Sequence, residues 1–361
     1  MKEDFQHIIQ LIQNAKERVY VKANSELVAL YFNVGNILSD KISKGVWGDK
    51  TMTALADFIH TKMPNLSGFN RRGLYRMKQF YEIHAVNSEV FKLWEELVFS
   101  IEHTEKQDVL IVSPPATQFQ KHQFYIENVL LKVSWSQHLD IFSSIRNPEE
   151  ILFYLLQTIT EKWTKTELRR QLKTAAYERT LLAKQATSPI IQKMDNIQTL
   201  FKDPYVFEFL DLPDNHSEKE FEKAIVLNLQ KFILEIGKGF TYMGEQYRLQ
   251  VGNKDYYTDL LFYHRDLQCL VLFELKIQDF EPEFLGKLNF YLEALDRDVK
   301  RPHENPSIGI LLCKGKDTEV VEYSLARNPS PTIIAEYQTK LIDKQLLINK
   351  LNQLLAIFQN P

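Results

Sequence analysis

The stretch Cys269-Leu270-Val271-Leu272-Phe273-Glu274-Leu275-Lys276-Ile277 decides how this chain is read. It is short, rich in large and β-branched apolar residues and flanked by polar segments, which predicts a buried strand. Side chains alternate faces along a strand, so Glu274 and Lys276 project from the same side, about 7 Å apart. Burying a charge is costly unless it is paired or bound to a metal. An acid and a base side by side in such a strand therefore read either as an internal ion pair or as part of a chemical site.

The neighbouring segments favour a site. Residues 256–264 read as a strand carrying Asp259, and Arg265-Asp266-Leu267-Gln268 turns the chain into the strand of Glu274. Residues 245–251 alternate polar and apolar, and the loop Gly252-Asn253-Lys254-Asp255 joins them to 256–264 as a hairpin. An aspartate in one strand and an acid-x-lysine in the next suits a hard divalent cation. Mg²⁺ takes one or two carboxylates, waters and substrate oxygens. A metal lowers the pKa of its bound water, and a lysine beside it can orient that water and offset its developing charge. Ser217-Glu218-Lys219-Glu220 opens a helix predicted to reach about residue 236, closed by Gly237 and Gly239. It offers Glu222 as a further acid, with Glu218 one turn earlier; both also fit a solvated helix face. Helices over 283–297 and 316–327, strands over 307–313 and 331–336, and an amphipathic helix over 341–358 complete this half.

Asp259 followed by Glu274-Leu275-Lys276 resembles the D…(D/E)xK core of the PD-(D/E)xK phosphodiesterase superfamily. Further stretches are similar to its bacterial YhcG-like branch. They include Asp203-Pro204-Tyr205-Val206-Phe207-Glu208-Phe209, Gln246-Tyr247-Arg248-Leu249, Gly286-Lys287-Leu288-Asn289-Phe290-Tyr291-Leu292 and Asn305-Pro306-Ser307-Ile308-Gly309. In the first half the similar stretches are Leu30-Tyr31-Phe32-Asn33-Val34-Gly35, Trp47-Gly48, Gly68-Phe69-Asn70-Arg71-Arg72-Gly73-Leu74 and Val133-Ser134-Trp135-Ser136. The resemblance covers nearly the whole chain. It implies an all-α N-terminal domain followed by an α/β, restriction-endonuclease-like mixed central sheet flanked by helices. It also implies hydrolysis of phosphodiester bonds in DNA with Mg²⁺ or Mn²⁺ as cofactor. Carried over by position, Asp259 and Glu274 are the implied metal ligands, Lys276 the water-orienting lysine and Glu222 the acid of the first helix. Gln246, Asn289 and Tyr291 are the implied lining of the cleft. Two positions depart from the pattern: Thr258 precedes Asp259 where the motif's namesake has proline, and Asn289 stands where related nucleases often carry glutamine. His264 reads as a turn histidine, and Lys287 as a phosphate contact or a surface lysine.

The first half reads as helical. Phe5, Ile8, Ile9, Ile12 and Ala15 share one helical face. Met52, Leu55, Ala56 and Ile59 form another, Pro64-Asn65-Leu66-Ser67-Gly68 turns the chain, and Asn70 caps a second helix reaching Tyr81. That second helix carries Arg71, Arg72 and Arg76, a candidate helix-turn-helix reader of DNA or else a solvated basic face. Asn147-Pro148-Glu149-Glu150 marks another helix start, and only the region around 103–122, with Pro114-Pro115, lacks a period. The expected division is a helical domain over 1–180, a linker helix over 181–202, the nuclease domain over 203–340 and a terminal helix over 341–361.

The formal charge of −3, from 44 basic and 47 acidic residues, excludes a wholly basic nucleic-acid packaging protein but not a local basic patch. Two cysteines in apolar runs, no signal-like apolar core at the start and no run near the ~20 residues of a membrane span lead to the expectation of a soluble cytoplasmic protein. The helical regions are candidates for homo-oligomer contacts. A second reading from another class is a catalytically silent or conditional DNA-binding subunit of a defence or mobile-element complex. A third is a helical interaction protein whose second half only scaffolds oligomers.

Overall fold

The computed structural model describes residues 2–100, 117–183, 187–192, 200–213 and 215–349, so most of the aperiodic region around Pro114-Pro115 lies outside the described residues. The chain forms two compact units, Met1–Leu172 and Lys173–Pro361.

The first unit is helical: α1 (Lys2–Ser43), α2 (Asp49–Lys62), α3 (Arg71–His84), α4 (Glu89–Ser100), α5 (Gln118–Asn128), α6 (Trp135–Ser144), α7 (Pro148–Thr160) and most of α8 (Lys165–Lys173). The Asn70 side chain accepts from the Gly73 N–H at 2.8 Å and caps α3. Asn147 caps α7 ahead of a first-turn proline. α3 buries Leu74, Met77, Phe80 and His84, a stripe with helical period. At Gly35 of α1 an added Cβ would lie 2.1 Å from the Met77 carbonyl oxygen, so only glycine lets the two backbones approach this closely.

Three histidines sit in this core. His84 Nδ1 and the Tyr125 hydroxyl are 2.8 Å apart, His122 Nε2 lies 2.7 Å from the His84 carbonyl, and His138 Nε2 lies 3.0 Å from the Leu130 carbonyl. Burial disfavours their charged form, pushing His138 down to about 4. His84 is pushed well down by burial and then by the charges of His138 and His122. In the unfolded chain these rings protonate near pH 6.5, so between pH 6.5 and 4 the unfolded state binds more protons and stability falls as pH falls. Acidification from pH 7 to 5 is expected to lower the stability of this unit by about 2–4 kcal/mol. Thermal melts at the two pH values check this, and coincident melts contradict it.

The second unit runs α9 (Ala176–Ala183), α10 (Pro189–Gln192), β1 (Tyr205–Val206), α11 (Glu218–Leu227), α12 (Leu229–Ile236), β2 (Phe240–Val251), β3 (Lys254–His264), β4 (Cys269–Leu275), α13 (Phe284–Ala294), β5 (Ile308–Cys313), α14 (Thr318–Leu325) and β6 (Thr332–Gln338). The strands form one mixed sheet in the order β1-β6-β5-β4-β3-β2. β4, β5, β6 and β1 run parallel, and β2 and β3 join β4 as an antiparallel hairpin. Alternation sorts β4 cleanly. Cys269, Val271, Phe273 and Leu275 pack into the core that includes Phe221 and Ile225 of α11 and Phe232 and Ile236 of α12. Leu270 and Leu272 pack with Leu288 and Leu292 of α13. Glu274 therefore faces the α13 side.

Three local expectations needed correction. The single helix over 217–236 is two, because Asn228 leaves helical geometry and its side chain donates to the Ala224 carbonyl at 3.1 Å. The hairpin turn is tighter than the four-residue loop expected, since β3 already begins at Lys254. β1 was not among the expected strands, being too short to show a strand period. Residues 344–349 are helical, with Leu347 packed on Ala175 and Leu182; from 350 onward the expected terminal helix lies outside the described residues.

Candidate active site

The site forms where β4 ends. β3 and β4 pair with Leu260 opposite Phe273, and the same register carried one step on sets Asp259 across from Glu274. The Leu275 N–H donates to Asp259 Oδ2 at 2.7 Å, fixing that carboxylate against the end of β4. Glu274 is fully buried and Lys276 is 9% exposed. Lys276 Nζ donates to the Leu275 carbonyl at 2.9 Å and lies 3.4 Å from both Glu274 Oε1 and Glu218 Oε2. Its ammonium also lies 5.7 Å from the centre of the Phe284 ring.

α11 brings two acids to this end of the sheet. Its Ser217 capping box fixes the first turn, from which Glu218 reaches Lys276. One turn later Glu222 accepts from Gln246 Nε2 through both carboxylate oxygens, at 2.8 and 2.9 Å. Gln246 holds a left-handed backbone, φ 47°, beside a register shift in β2. Such a conformation costs of order 1–3 kcal/mol outside glycine and recurs at functional sites. On α13, Lys287 forms an ion pair with Glu274 Oε1, and its ammonium lies 5.2 Å from the Tyr291 ring centre.

The electrostatics follow from crowding carboxylates in a dry place. Burial, then the neighbouring Glu274 charge, push the Asp259 carboxyl up to about 6, against the Leu275 N–H and the two lysines. Burial likewise raises Glu222, opposed by Gln246 and reinforced by Asp259 and Glu245. Burial works against the Lys287 charge, yet its bond to Glu274 leaves the ammonium above its ordinary pKa. Glu274 Oε2 is buried with no hydrogen-bond partner. Two close carboxylates, one with an unsatisfied buried oxygen, fit a divalent cation between them. Among the described residues no group of three or more His, Cys, Asp or Glu is arranged as a closed metal cage. The protein would then supply two carboxylates and leave the other positions to water and substrate, as Mg²⁺ prefers.

The structure thus gathers Asp259, Glu274, Lys276, Glu222, Gln246 and Tyr291 around one strand end. Asn289 is turned elsewhere: its Nδ2 donates to Asn328 Oδ1 at 2.8 Å, and its own Oδ1 is buried without a partner. The expected contact of Asn289 with substrate phosphate finds no support in this placement. His264 lies at the opposite end of β3 from Lys254 and accepts from the Leu267 N–H at 3.2 Å, a turn role. Two candidates named from sequence take partners that the sequence did not indicate: Glu218 pairs with Lys276 and Lys287 with Glu274. The available signal for Lys287 was its spacing of one turn from Tyr291, which sets both on one face of α13.

Arg71, Arg72 and Arg76 belong to α3 of the helical unit. Arg71 is bound to Asp49 at 3.3 Å, and Tyr75 bonds the same carboxylate. Neither Arg72 nor Arg76 has an ion-pair partner among the described residues. Residues 63–70 connect α2 to α3, longer than the three or four residues of a helix-turn-helix.

Residues 198–352 match the YhcG PDDEXK nuclease domain, and residues 7–179 match the DUF1016 N-terminal domain. The chain thus carries a YhcG-type PDDEXK nuclease domain behind a DUF1016 N-terminal domain and is homologous to the YhcG nuclease. YhcG of Escherichia coli (strain K12) is 28% identical over 369 residues, covering 98% of this chain and 94% of the relative. Among solved structures, a repair endonuclease from Pyrococcus abyssi is 17% identical over 35% of this chain and 48% of its own, with TM-score 0.24. EndoMS in complex with double-stranded DNA is 19% identical over 36% and 47%, with TM-score 0.26. This chain thus spans about half the length of those two chains. The mixed sheet flanked by helices is the restriction-endonuclease-like arrangement of a YhcG-like nuclease domain. Among the described residues no helix is long and apolar enough to cross a membrane.

Proposed function

We propose that this YhcG-like chain is a metal-dependent nuclease that hydrolyses phosphodiester bonds in DNA, with residues 203–340 as its catalytic domain and the helical first half, 1–180, contributing DNA contacts. The observation that carries it is the fully buried carboxylate of Glu274, with one unsatisfied oxygen, set beside the half-buried Asp259 and with Lys276 alongside. When bound, Mg²⁺ or Mn²⁺ supplies an acidified water and neutralises charge at the phosphate. The side chains do the rest. Asp259, oriented by the Leu275 N–H, and Glu274, fixed by its strand, hold the cation. Lys276 orients the attacking water and offsets its developing charge, its ammonium restrained by Glu218 and the Leu275 carbonyl. Glu222, clamped by Gln246, is the helix acid facing the same centre. Tyr291 borders it.

The test is incubation with plasmid, linear and branched DNA plus Mg²⁺ or Mn²⁺, against EDTA. Cleavage of at least one form that EDTA abolishes is the expected result. Binding without cleavage in every condition would make the chain a silent partner subunit instead.

Phosphate binding must come from local patches because the chain is slightly acidic overall. Replacing Arg71, Arg72 and Arg76 together with glutamine is expected to weaken DNA binding. It should also flatten the log K against log[salt] slope by about 2, less than three contacts would give because Asp49 already occupies Arg71. Affinities measured from 50 to 200 mM salt check this; an unchanged slope moves the DNA surface elsewhere.

A further inference from the structure

The side chain of Glu274 is 1% exposed, which makes it one of the least accessible carboxylates in the second unit. Lys287 approaches it from α13 with a side chain that is 46% exposed, so its stem lies toward solvent and its ammonium on the carboxylate. Lys276 also lies near the same Oε1, but at 3.4 Å, and it is shared with Glu218 and the Leu275 carbonyl. Lys287 is therefore the closest cation to Glu274. The remaining oxygen, Oε2, has no partner. A buried carboxylate left without a counter-charge is strongly destabilising. A chain that must hold Glu274 ready for a divalent cation needs something else to pair it when that cation is absent.

We propose that Lys287 is a tethered counter-ion: it pairs Glu274 in the metal-free protein and competes with the divalent cation for that carboxylate. The inference rests on the reading of Asp259 and Glu274 as metal ligands. Loading the site would set a divalent cation on the same carboxylate, and its repulsion of the Lys287 ammonium would drive that group back along its exposed stem. The site's metal affinity is thereby held below what its carboxylates alone would give. Tyr291 steadies the resting position, its ring 5.2 Å from the ammonium. The role needs a positive charge at 287 and a reach of one long side chain, so arginine should keep it and glutamine should lose it.

The experiment is calorimetric titration of the full-length protein with Mn²⁺ in the absence of DNA, for wild type, Lys287→Gln, Lys287→Arg and Glu274→Gln. Lys287→Gln is expected to bind Mn²⁺ about tenfold more tightly, the equivalent of removing one competing half-buried ion pair. Lys287→Arg should stay within about twofold of wild type, and Glu274→Gln should lose the binding. Melting curves without metal give a second readout: Lys287→Gln should melt lower than wild type, and saturating Mn²⁺ should restore it more than it raises wild type. Equal or weaker Mn²⁺ binding by Lys287→Gln, with wild type binding and Glu274→Gln not, overturns this proposal alone. Absence of Mn²⁺ binding by wild type, or undiminished binding by Glu274→Gln, overturns the metal-site reading and this proposal with it.

Discussion

Glu274→Gln is expected to lower the rate of DNA cleavage by about a thousandfold or more, with the protein still folded. Metal ligation contributes several kcal/mol of charge stabilisation in the transition state, and each 1.36 kcal/mol is tenfold in rate. Glutamine fills the same volume at the end of β4, so Leu270 and Leu272 keep their packing against α13. The amide also removes a buried charge with one unsatisfied oxygen, which offsets the lost ion pairs to Lys287 and Lys276. Lys276→Met separates the two roles: it should keep metal binding while lowering cleavage by about a hundredfold or more, the usual loss when one positioned electrostatic group is removed. Initial rates at saturating Mg²⁺, read beside circular dichroism, decide this. Parent-level cleavage by either variant would show that the site lies elsewhere.

The second large effect is on stability. Arg179 and Glu235 are completely buried and form an ion pair. The Arg179 guanidinium also donates to the Thr174 carbonyl at 2.7 Å and the Pro204 carbonyl at 3.2 Å. Glu235 accepts the Val206 N–H at 3.0 Å, and Lys202 Nζ donates to its carbonyl at 2.6 Å. These contacts tie α9, α12 and the start of β1 together. Asp203 continues the anchoring through its bond to Lys316 and by accepting the Glu336 N–H at 2.8 Å. Glu235→Ala strips the guanidinium of its counter-charge in a dry core, so it is expected to cost about 3–5 kcal/mol. For a unit of this size that lowers the melting temperature by about 10 °C. The paired replacement Arg179→Met with Glu235→Leu should cost less, because the buried guanidinium goes with its carboxylate and Lys202, 3.7 Å from Glu235 Oε2, keeps its bond to the residue-235 carbonyl. Equal losses from the single and paired variants would contradict this view of the cluster.

The sheet was legible because β5 and, apart from Glu274, β4 are apolar and β2–β3 carry an alternating hairpin pattern, signals that depend only on neighbouring residues. Glu274 and Lys276 could be read because charges stand out in and beside a strand that buries every side chain, and Asp259 because it sits one hairpin away from them. The partners of Glu218 and Lys287 could not, since each side chain reaches its partner only after two separate elements have packed. On helix faces that also meet solvent, a ligand and a surface charge look alike. Asn289 shows the converse. The resemblance implied a place in the cleft with Tyr291, but two residues along a helix turn the side chain by about 200°, and Asn289 donates to Asn328. The break at Asn228 and the two-residue β1 were hidden because each is shorter than the period that would reveal it.

The most direct test of the metal site is the single-turnover rate of plasmid cleavage measured across a Mg²⁺ titration, for wild type and Asp259→Asn purified in parallel. The expected result is no cleavage in EDTA, a rate for wild type that rises with Mg²⁺ to saturation, and no such rise for Asp259→Asn. Cleavage that persists in EDTA, or an Asp259→Asn curve that overlays the wild type, would contradict a cation held between Asp259 and Glu274.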